Sequence, residues 1–375
     1  MSGINVANFG LVDRTFIRWV FSLAFCGPLW AAPEKPPILY DITPMLRADS
    51  QAIELVGGKK IPLPNIAFDA LRFIDDFPNA NWEHPARFQF TNKGQVVLEV
   101  PTRLPPKGLK RQYRLGPPSM DEAPVFNLSD FGGKYRIQTP ANYFAVLLNG
   151  NGDERHWNDF SFLFRVLVNV YGYLPQNIFV ADSNFRGSKP DLDGNGIPDI
   201  HYGSTIGDIE AVFATVSQQM LSTDQLLLVV NDHGSINNGE STLILADGEL
   251  TASQFAQLLK AVPAQRVLSI FEQCFSGGFV RPTVSPQRVS MAASTDKEIS
   301  WASEDGVFDE FLYLVISAFA HQRHDGTLVS ADLNADARVT AREAFSHAIS
   351  YDSTRENPFM EAHKNSLAAF TIGLD

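Results

Sequence analysis

Cysteine is almost missing from this chain: among 375 residues there are two, Cys26 and Cys274. That scarcity excludes a disulfide framework and any multi-cysteine metal centre. Positive charge is scarce as well, with 30 Lys and Arg against 42 Asp and Glu and a net charge of -12. A surface of that sign attracts neither nucleic acid nor an anionic membrane, so neither is expected as a partner. Long apolar runs are the third absence. The apolar segment 19–30 is only a dozen residues long and is broken by Gly27-Pro28, against the roughly 20 needed to span a bilayer.

Arg14 and Arg18 precede that segment and Ala31-Ala32-Pro33 follows it, the order of a secretory signal peptide, which we assign to residues 1–32. Phe25, directly before Cys26, is too bulky for a lipid-attachment pattern. The expected mature protein is secreted or periplasmic, with no stable membrane insertion after signal removal. It keeps Cys274 as its single thiol, in a compartment where cysteines come in pairs.

What is present is the composition of a globular protein, 45% hydrophobic and 19% charged, in a chain long enough for one large domain and an added module. After the Pro-rich stretch 32–37, residues 33–140 are punctuated by proline and glycine. Their clearest element is "RFQFTNKGQVVLEVP", in which Phe88, Phe90, Val96, Val97, Leu98 and Val100 flank an Asn92-Lys93-Gly94 turn. The expectation is an N-terminal, mainly β module containing a hairpin.

From Tyr143 the pattern changes. The buried-type runs "YFAVLLN", "NIFVAD", "LLLVV", "STLILAD", "RVLSIF" and "RVSMAAS" alternate with helical patterns. One helix carries Trp157, Phe160, Phe164, Leu167, Val168 and Tyr171 on a face, and a second carries Ile209, Val212, Phe213 and Val216. A third opens on a Thr251/Gln254 capping box, and a fourth is expected over 308–320. The fold class is therefore α/β, a mostly parallel sheet flanked by helices on both faces. It is expected over 141–325, with a C-terminal extension over 326–375.

Groups that do chemistry in such sheets gather beyond the carboxyl ends of the strands. "VVNDHGS" (229–235) and "SIFEQCFSGG" (269–278) both end an apolar run on reactive side chains. His233 and Cys274 are thus expected side by side at one sheet edge. An imidazole next to a thiol can draw its proton, and an imidazolium can return one to a leaving amine. Gly234 leaves its backbone N–H approachable for a developing oxyanion, and Gly277-Gly278 is expected to let the chain turn away from a substrate.

These two motifs resemble the His-Gly and Glu-x-Cys-x-Ser-Gly motifs of the legumain family of cysteine endopeptidases, relatives of the caspases. "AVLLNGNGDERHWND" and "RVSMAASTDKEISW" resemble further parts of that family's core, so the similarity spans much of 143–320. The resemblance implies a caspase-like peptidase domain with His233 and Cys274 as catalytic dyad and Gly234 in the oxyanion hole. It places Arg155 and Glu272 in the pocket for the residue preceding the scissile bond, asparagine or another polar residue. A second acidic member is Asp305 or Asp309. The chain departs from the family where Gly278 replaces a serine. The segment 152–155 is also shorter and offers no counterpart for the asparagine that assists the dyad.

"DLNADARVTARE" (332–343) has the oxygen spacing of an EF-hand calcium loop. Asp332, Asn334, Asp336, the carbonyl of Arg338, Thr340 and Glu343 are its expected ligands, although Ala337 stands where a glycine is usual. "DLDGNGIPD" (191–199) offers Asp191, Asp193, Asn195 and Asp199 but has Tyr202 at the twelfth position. Calcium would be structural; catalysis needs no cofactor. The expected function is a cysteine-type endopeptidase acting on a peptide or protein substrate through a thioester. Alternatives are a transamidase or ligase using the same dyad, or a noncatalytic, calcium-stabilised adhesion or scaffold protein with a degenerate protease fold.

Overall fold

The computed structural model describes residues 37–46, 50–77, 80, 84–107, 109, 143–185, 187, 189–362 and 371–372. The expected signal peptide at 1–32, with Cys26, lies outside the described residues. Among them, no helix is long and apolar enough to cross a membrane.

The N-terminal part is built from β1 (Ile38–Asp41), β2 (Ala52–Glu54), β3 (Lys60–Pro62), β4 (Ala70–Asp75), β5 (Ala86–Asn92) and β6 (Gln95–Thr102). β5 and β6 form the expected hairpin. Lys93 and Gly94 both adopt positive φ, 51° and 76°, the mirror-image turn whose twist matches that of paired strands. An antiparallel sheet in the order β1-β4-β5-β6 buries Leu71, Phe73, Phe88 and Phe90 on one face, while β2 pairs with β3.

The larger part runs β7 (Tyr143–Asn149), α1 (Glu154–Asn169), β8 (Ile178–Asp182), β9 (Ile200–Tyr202), α2 (Ile206–Gln219) and β10 (Gln225–Val230). It continues with β11 (Gly234–Asn237), β12 (Glu240–Leu245), β13 (Gly248–Thr251), α3 (Ala252–Lys260), β14 (Arg266–Phe271) and α4 (Gly277–Thr283). It ends with β15 (Arg288–Ala292), α5 (Glu310–Ala320), α6 (Ala341–Tyr351) and β16 (Phe359–Ala362). Seven strands form the central sheet in the order β16-β15-β14-β10-β7-β8-β9. All neighbours pair in parallel except β16, which returns antiparallel along β15.

Strand alternation divides the core in two. Along β7, Tyr143, Ala145 and Leu147 join α1, α5 and α6 on one face. Phe144, Val146 and Leu148 join α2, α3 and α4 on the other. A strand covered on both faces has no reason to alternate polar with apolar, which is why these strands read as continuous hydrophobic runs.

The run "STLILAD" is a strand but lies outside the central sheet. It forms β12, the middle of a separate antiparallel sheet β11-β12-β13. Asn238 and Gly239, with φ of 51° and 82°, make a two-residue turn after β11, and so short a connection joins only antiparallel neighbours. This small sheet meets the N-terminal part: Ile244 of β12 is buried among its core residues, and Lys59 Nζ lies 2.5 Å from Glu249 Oε1.

Helices α2, α3 and α6 begin with reciprocal capping boxes, Thr205/Asp208, Thr251/Gln254 and Thr340/Glu343. α1 and α5 do not: their N-cap residues, Asp153 and Asp309, make no side-chain capping bond. Replacing Thr251 by Ala should therefore cost about 1 kcal/mol in urea unfolding, the usual worth of a helix N-cap, with no change in the slope of the transition.

Candidate active site

Parallel pairing of β10 with β14 sets Val230 opposite Phe271. The chain continues from these as Asn231-Asp232-His233 and Glu272-Gln273-Cys274, so His233 and Cys274 stand equally far beyond the ends of adjacent strands. The Glu272 N–H still donates to the Val230 carbonyl at 2.8 Å, which keeps the two segments together past the last ladder position. A Cβ on Gly234 would lie 2.0 Å from the Cys274 carbonyl oxygen. Glycine is thus the residue that lets the backbone following His233 touch the backbone at Cys274. Both side chains are fully buried.

The His233 backbone is held on both sides, its N–H donating to Asp232 Oδ1 at 2.6 Å and its carbonyl accepting from the Ile244 N–H at 3.0 Å. Its Nε2 lies 3.3 Å from Asp153 Oδ2. Asp153 occupies the N-cap position of α1, yet its carboxylate is drawn away to His233 and to Arg155 Nη2, also at 3.3 Å. Sequence reasoning missed this residue. The available signal was an acid at the head of a helix, two positions before Arg155, which is usually read as a cap and nothing more.

Arg155 is completely buried, and its Nε lies 2.8 Å from Asp309 Oδ1. Asp309, the N-cap residue of α5, also presents Oδ2 to His156 Nε2 at 3.5 Å. Its backbone N–H donates to Asp159 Oδ2, which accepts from Asn231 Nδ2 as well, each at 3.0 Å. Asp309 is therefore the acid at Arg155. Asp305 is turned to a local loop, where it accepts from the Ser303 hydroxyl and the Val307 N–H.

His156 Nδ1 sits 3.2 Å from Asn149 Oδ1, and its ring centre is 4.9 Å from that of His233. Burial, reinforced by the charges of Arg155 and His233 against the opposing pull of Asp309, pushes the pKa of His156 down to about 3. A neutral ring between α1, β7 and α5 is a structural link.

Glu272 Oε2 accepts the Leu312 N–H at 2.7 Å, in the first turn of α5. It thus supplies, from just beyond the end of β14, a cap that Asp309 does not. Burial pushes its carboxyl well up, and Glu356, Asp309 and Asp159 add to the effect. Asp153 and Asp309 both make direct ion-pair contact with Arg155.

Ser300 turns its backbone N–H and its hydroxyl toward the Cys274 sulfur, which favours thiolate, but burial outweighs both and drives the thiol pKa up. The next residue, Phe275, has φ 59°, a left-handed conformation that costs a bulky side chain of order 1–3 kcal/mol. This residue turns the chain. Gly277 and Gly278, expected to steer the chain away from a substrate, serve close packing instead. A Cβ would lie 2.8 Å from the Asp296 backbone nitrogen at the first and 2.1 Å from Ser241 Oγ at the second.

The 332–343 loop curls around its own oxygens. Asp332 Oδ2 accepts from the Ala337 N–H at 2.8 Å, Asn334 Oδ1 from the Asp336 N–H at 2.9 Å, and Glu343 Oε1 from the Leu333 N–H at 3.0 Å. Ala337 adopts φ 65°, the conformation a glycine usually supplies there. Thr340 caps α6 and Arg338 donates its N–H to Asp336. At the other loop, ligand atoms of Asp191, Asp193 and Asp199 lie within 4.8 Å of one another. Ligand atoms of Asp153, His156 and His233 also lie within 4.8 Å of one another, but the guanidinium of Arg155 beside Asp153 makes that cluster a poor seat for a cation.

No family model and no curated protein matches the chain. Among solved structures, it is similar to caspase-1 from Spodoptera frugiperda, with 11% identity and a TM-score of 0.40 over 64% of this chain and 95% of that one. It is also similar to a structural-genomics target from Geobacter sulfurreducens, with 12% identity and a TM-score of 0.38 over 59% and 92%. At such identities the chemistry has to be read from the site itself.

The buried carboxyls give a pH test. A carboxyl whose folded pKa is raised stabilises the fold at low pH, and that contribution is lost as pH rises through the folded value. For Glu272 the loss starts above its ordinary 4.5. Glu272→Gln, which keeps an acceptor for the Leu312 N–H, should gain on wild type as pH rises from about 4.5 toward alkaline values. Urea unfolding over that range should show the two stabilities diverging; parallel curves would mean that the carboxyl is not strained.

Proposed function

We propose that the protein is a cysteine-type peptidase in which Cys274 is the nucleophile and His233 the acid/base. The observation that carries this reading is the register of β10 and β14, with the backbone contact between Gly234 and Cys274. In the reacting form the imidazole takes the thiol proton and the sulfur adds to the scissile carbonyl carbon. The imidazolium then returns the proton to the amine as the C–N bond breaks, leaving a thioester. Water, deprotonated by the same imidazole, adds to the thioester, and the thiolate departs.

Three local features support these roles. The Ile244 N–H···His233 carbonyl bond makes His233 and Ile244 a hydrogen-bonded pair of the β11-β12 ladder. The next pair, Gly234 with Leu243, is then of the non-bonded kind, and the Gly234 N–H points away from β12, as an oxyanion donor requires. Asp153 on Nε2 orients the imidazole and stabilises its protonated form. Ser300 aims two donors at the sulfur.

Arg155, with Asp309 and Glu272, is proposed as the pocket for the residue preceding the cut. A guanidinium balanced by acids suits a neutral carboxamide, which both donates and accepts. That composition agrees with the resemblance of the motifs to legumains and with their preference for asparagine. We place the enzyme outside the cytoplasm on the reading of residues 1–32 as a signal peptide, and calcium in the 332–343 loop as a structural ion.

A peptide library digested by the wild-type protein should show cuts that vanish in Cys274→Ala and slow by roughly 10²- to 10⁴-fold in His233→Ala. Cuts that persist in Cys274→Ala would refute the nucleophile. For the loop, calcium at a hundred times its Kd should raise stability by about 2.7 kcal/mol, and Glu343→Gln should erase that gain. A melting temperature indifferent to chelator and calcium would remove the ion from the account.

A further inference from the structure

The loop between α6 and β16 lies in the C-terminal extension, outside the stretch that resembles a peptidase, yet it reaches the site. It is held at three points. Ser353 donates its N–H and its hydroxyl to Glu310 Oε1 at 3.2 and 2.8 Å, and the Asn357 side-chain amide donates to Glu298 Oε1 at 2.8 Å. Between these two, Glu356 turns inward and its Oε2 accepts the Trp301 N–H at 3.0 Å. Trp301 directly follows Ser300, whose donors face the Cys274 sulfur, and the Glu298 carbonyl accepts the Phe275 N–H at 2.7 Å. The extension thus delivers a carboxyl to the segment that runs beside the thiol.

Glu272 is held in the same manner. Each of these buried glutamates fixes one oxygen on a backbone N–H, Glu272 on that of Leu312 and Glu356 on that of Trp301. The other oxygen of each, Oε1, has no hydrogen-bond partner among the described residues. The two acids sense one another: of the charges acting on Glu272, that of Glu356 contributes most, and Cys274 feels both Glu356 and Arg155. Arg155 does not absorb this surplus, because its guanidinium is already met by Asp153 and Asp309. A buried carboxyl oxygen without a donor is costly, and a group that brings N–H donors from outside would relieve both.

We propose that Glu356 is a further specificity-determining residue of the pocket for the residue preceding the cut, its Oε1 joining Glu272 Oε1 to select a side chain that donates N–H, a carboxamide or a cation, and to reject a carboxylate. The proposal rests on the peptidase reading of the site. Burial pushes the Glu356 carboxyl well up, with Asp352, Glu310 and Asp309 adding to the effect against the Trp301 N–H. A donor arriving at Oε1 favours the charged form again, so recognition and ionisation reinforce one another. A carboxylate brings only acceptors and a like charge into the same enclosure.

The test compares kcat/KM on peptides that differ only in the residue before the cut, Asn, Lys, Asp or Ala, with flanks taken from a sequence that the library digest shows to be cleaved. Wild type should cleave after Asn or Lys at least roughly tenfold better than after Asp; the better of the two tells a carboxamide from a cation. Cleavage after Asp as readily as after both would overturn the assignment. Glu356→Gln keeps an acceptor for the Trp301 N–H but turns an amide NH2 toward the pocket, and should lower the ratio of Asn or Lys cleavage to Asp cleavage by about tenfold or more. An unchanged ratio in the folded variant would overturn Glu356 while leaving Cys274 as the nucleophile. Should that variant not fold, Glu356→Asp, one methylene shorter, should lower the ratio of Asn or Lys cleavage to Ala cleavage by roughly tenfold, and an unchanged ratio there would count equally against the assignment. A library that yields no cut at all overturns the peptidase reading, and the pocket with it.

Discussion

The parallel pairing of β10 with β14 is the constraint on which the site depends. Neither strand carries a reactive group, yet their register brings two segments that are distant in sequence to the same height above one sheet edge. The missing Cβ of Gly234 lets them close to backbone contact. A register slip of one residue would send the side chains of either strand to the opposite faces. Because both faces are packed with hydrocarbon, such a slip is strongly disfavoured, and the two cores thereby fix the alignment of His233 with Cys274.

Around that pair the molecule gathers charge where water is absent, which is costly unless every charge has a partner. Two helices contribute to the solution in the same way. The acids heading α1 and α5 leave their own helix ends and reach inward to Arg155, His156 and His233. Glu272 replaces one missing cap from across the interface. The first turns of α1 and α5 thus bring their acids and partly positive ends toward the cluster, so the buried anions are matched by backbone dipoles as well as by one guanidinium.

Most of the central sheet was legible because strands buried on both faces must be apolar throughout, and β7, β8, β10, β14 and β15 each appear as such a run. Helices α1 to α3 showed through periodicity or a capping box. Pattern alone misassigned the surroundings of β12, an apolar run whose neighbours are decided by the Asn238-Gly239 turn before it. At the site, the shared edge of His233 and Cys274 was legible from strand ends. Asp153 was not, because a helix-head acid looks the same whether it caps or reaches away. The role of Phe275 was hidden too, since nothing in its identity announces a left-handed turn, whereas Gly277-Gly278 drew attention through a composition that packing explains better.

Strand β16 carries a consequence of its own. It is the antiparallel addition to an otherwise parallel sheet, and it covers the outer side of β15 with the last strand of the described chain. Without it, the backbone of β15 would offer a row of unmatched donors and acceptors to any passing strand, including its own counterpart in another molecule. The C-terminal segment therefore moves the open border of the sheet from β15 to a four-residue strand, the short kind of edge that offers a neighbouring chain little to pair with.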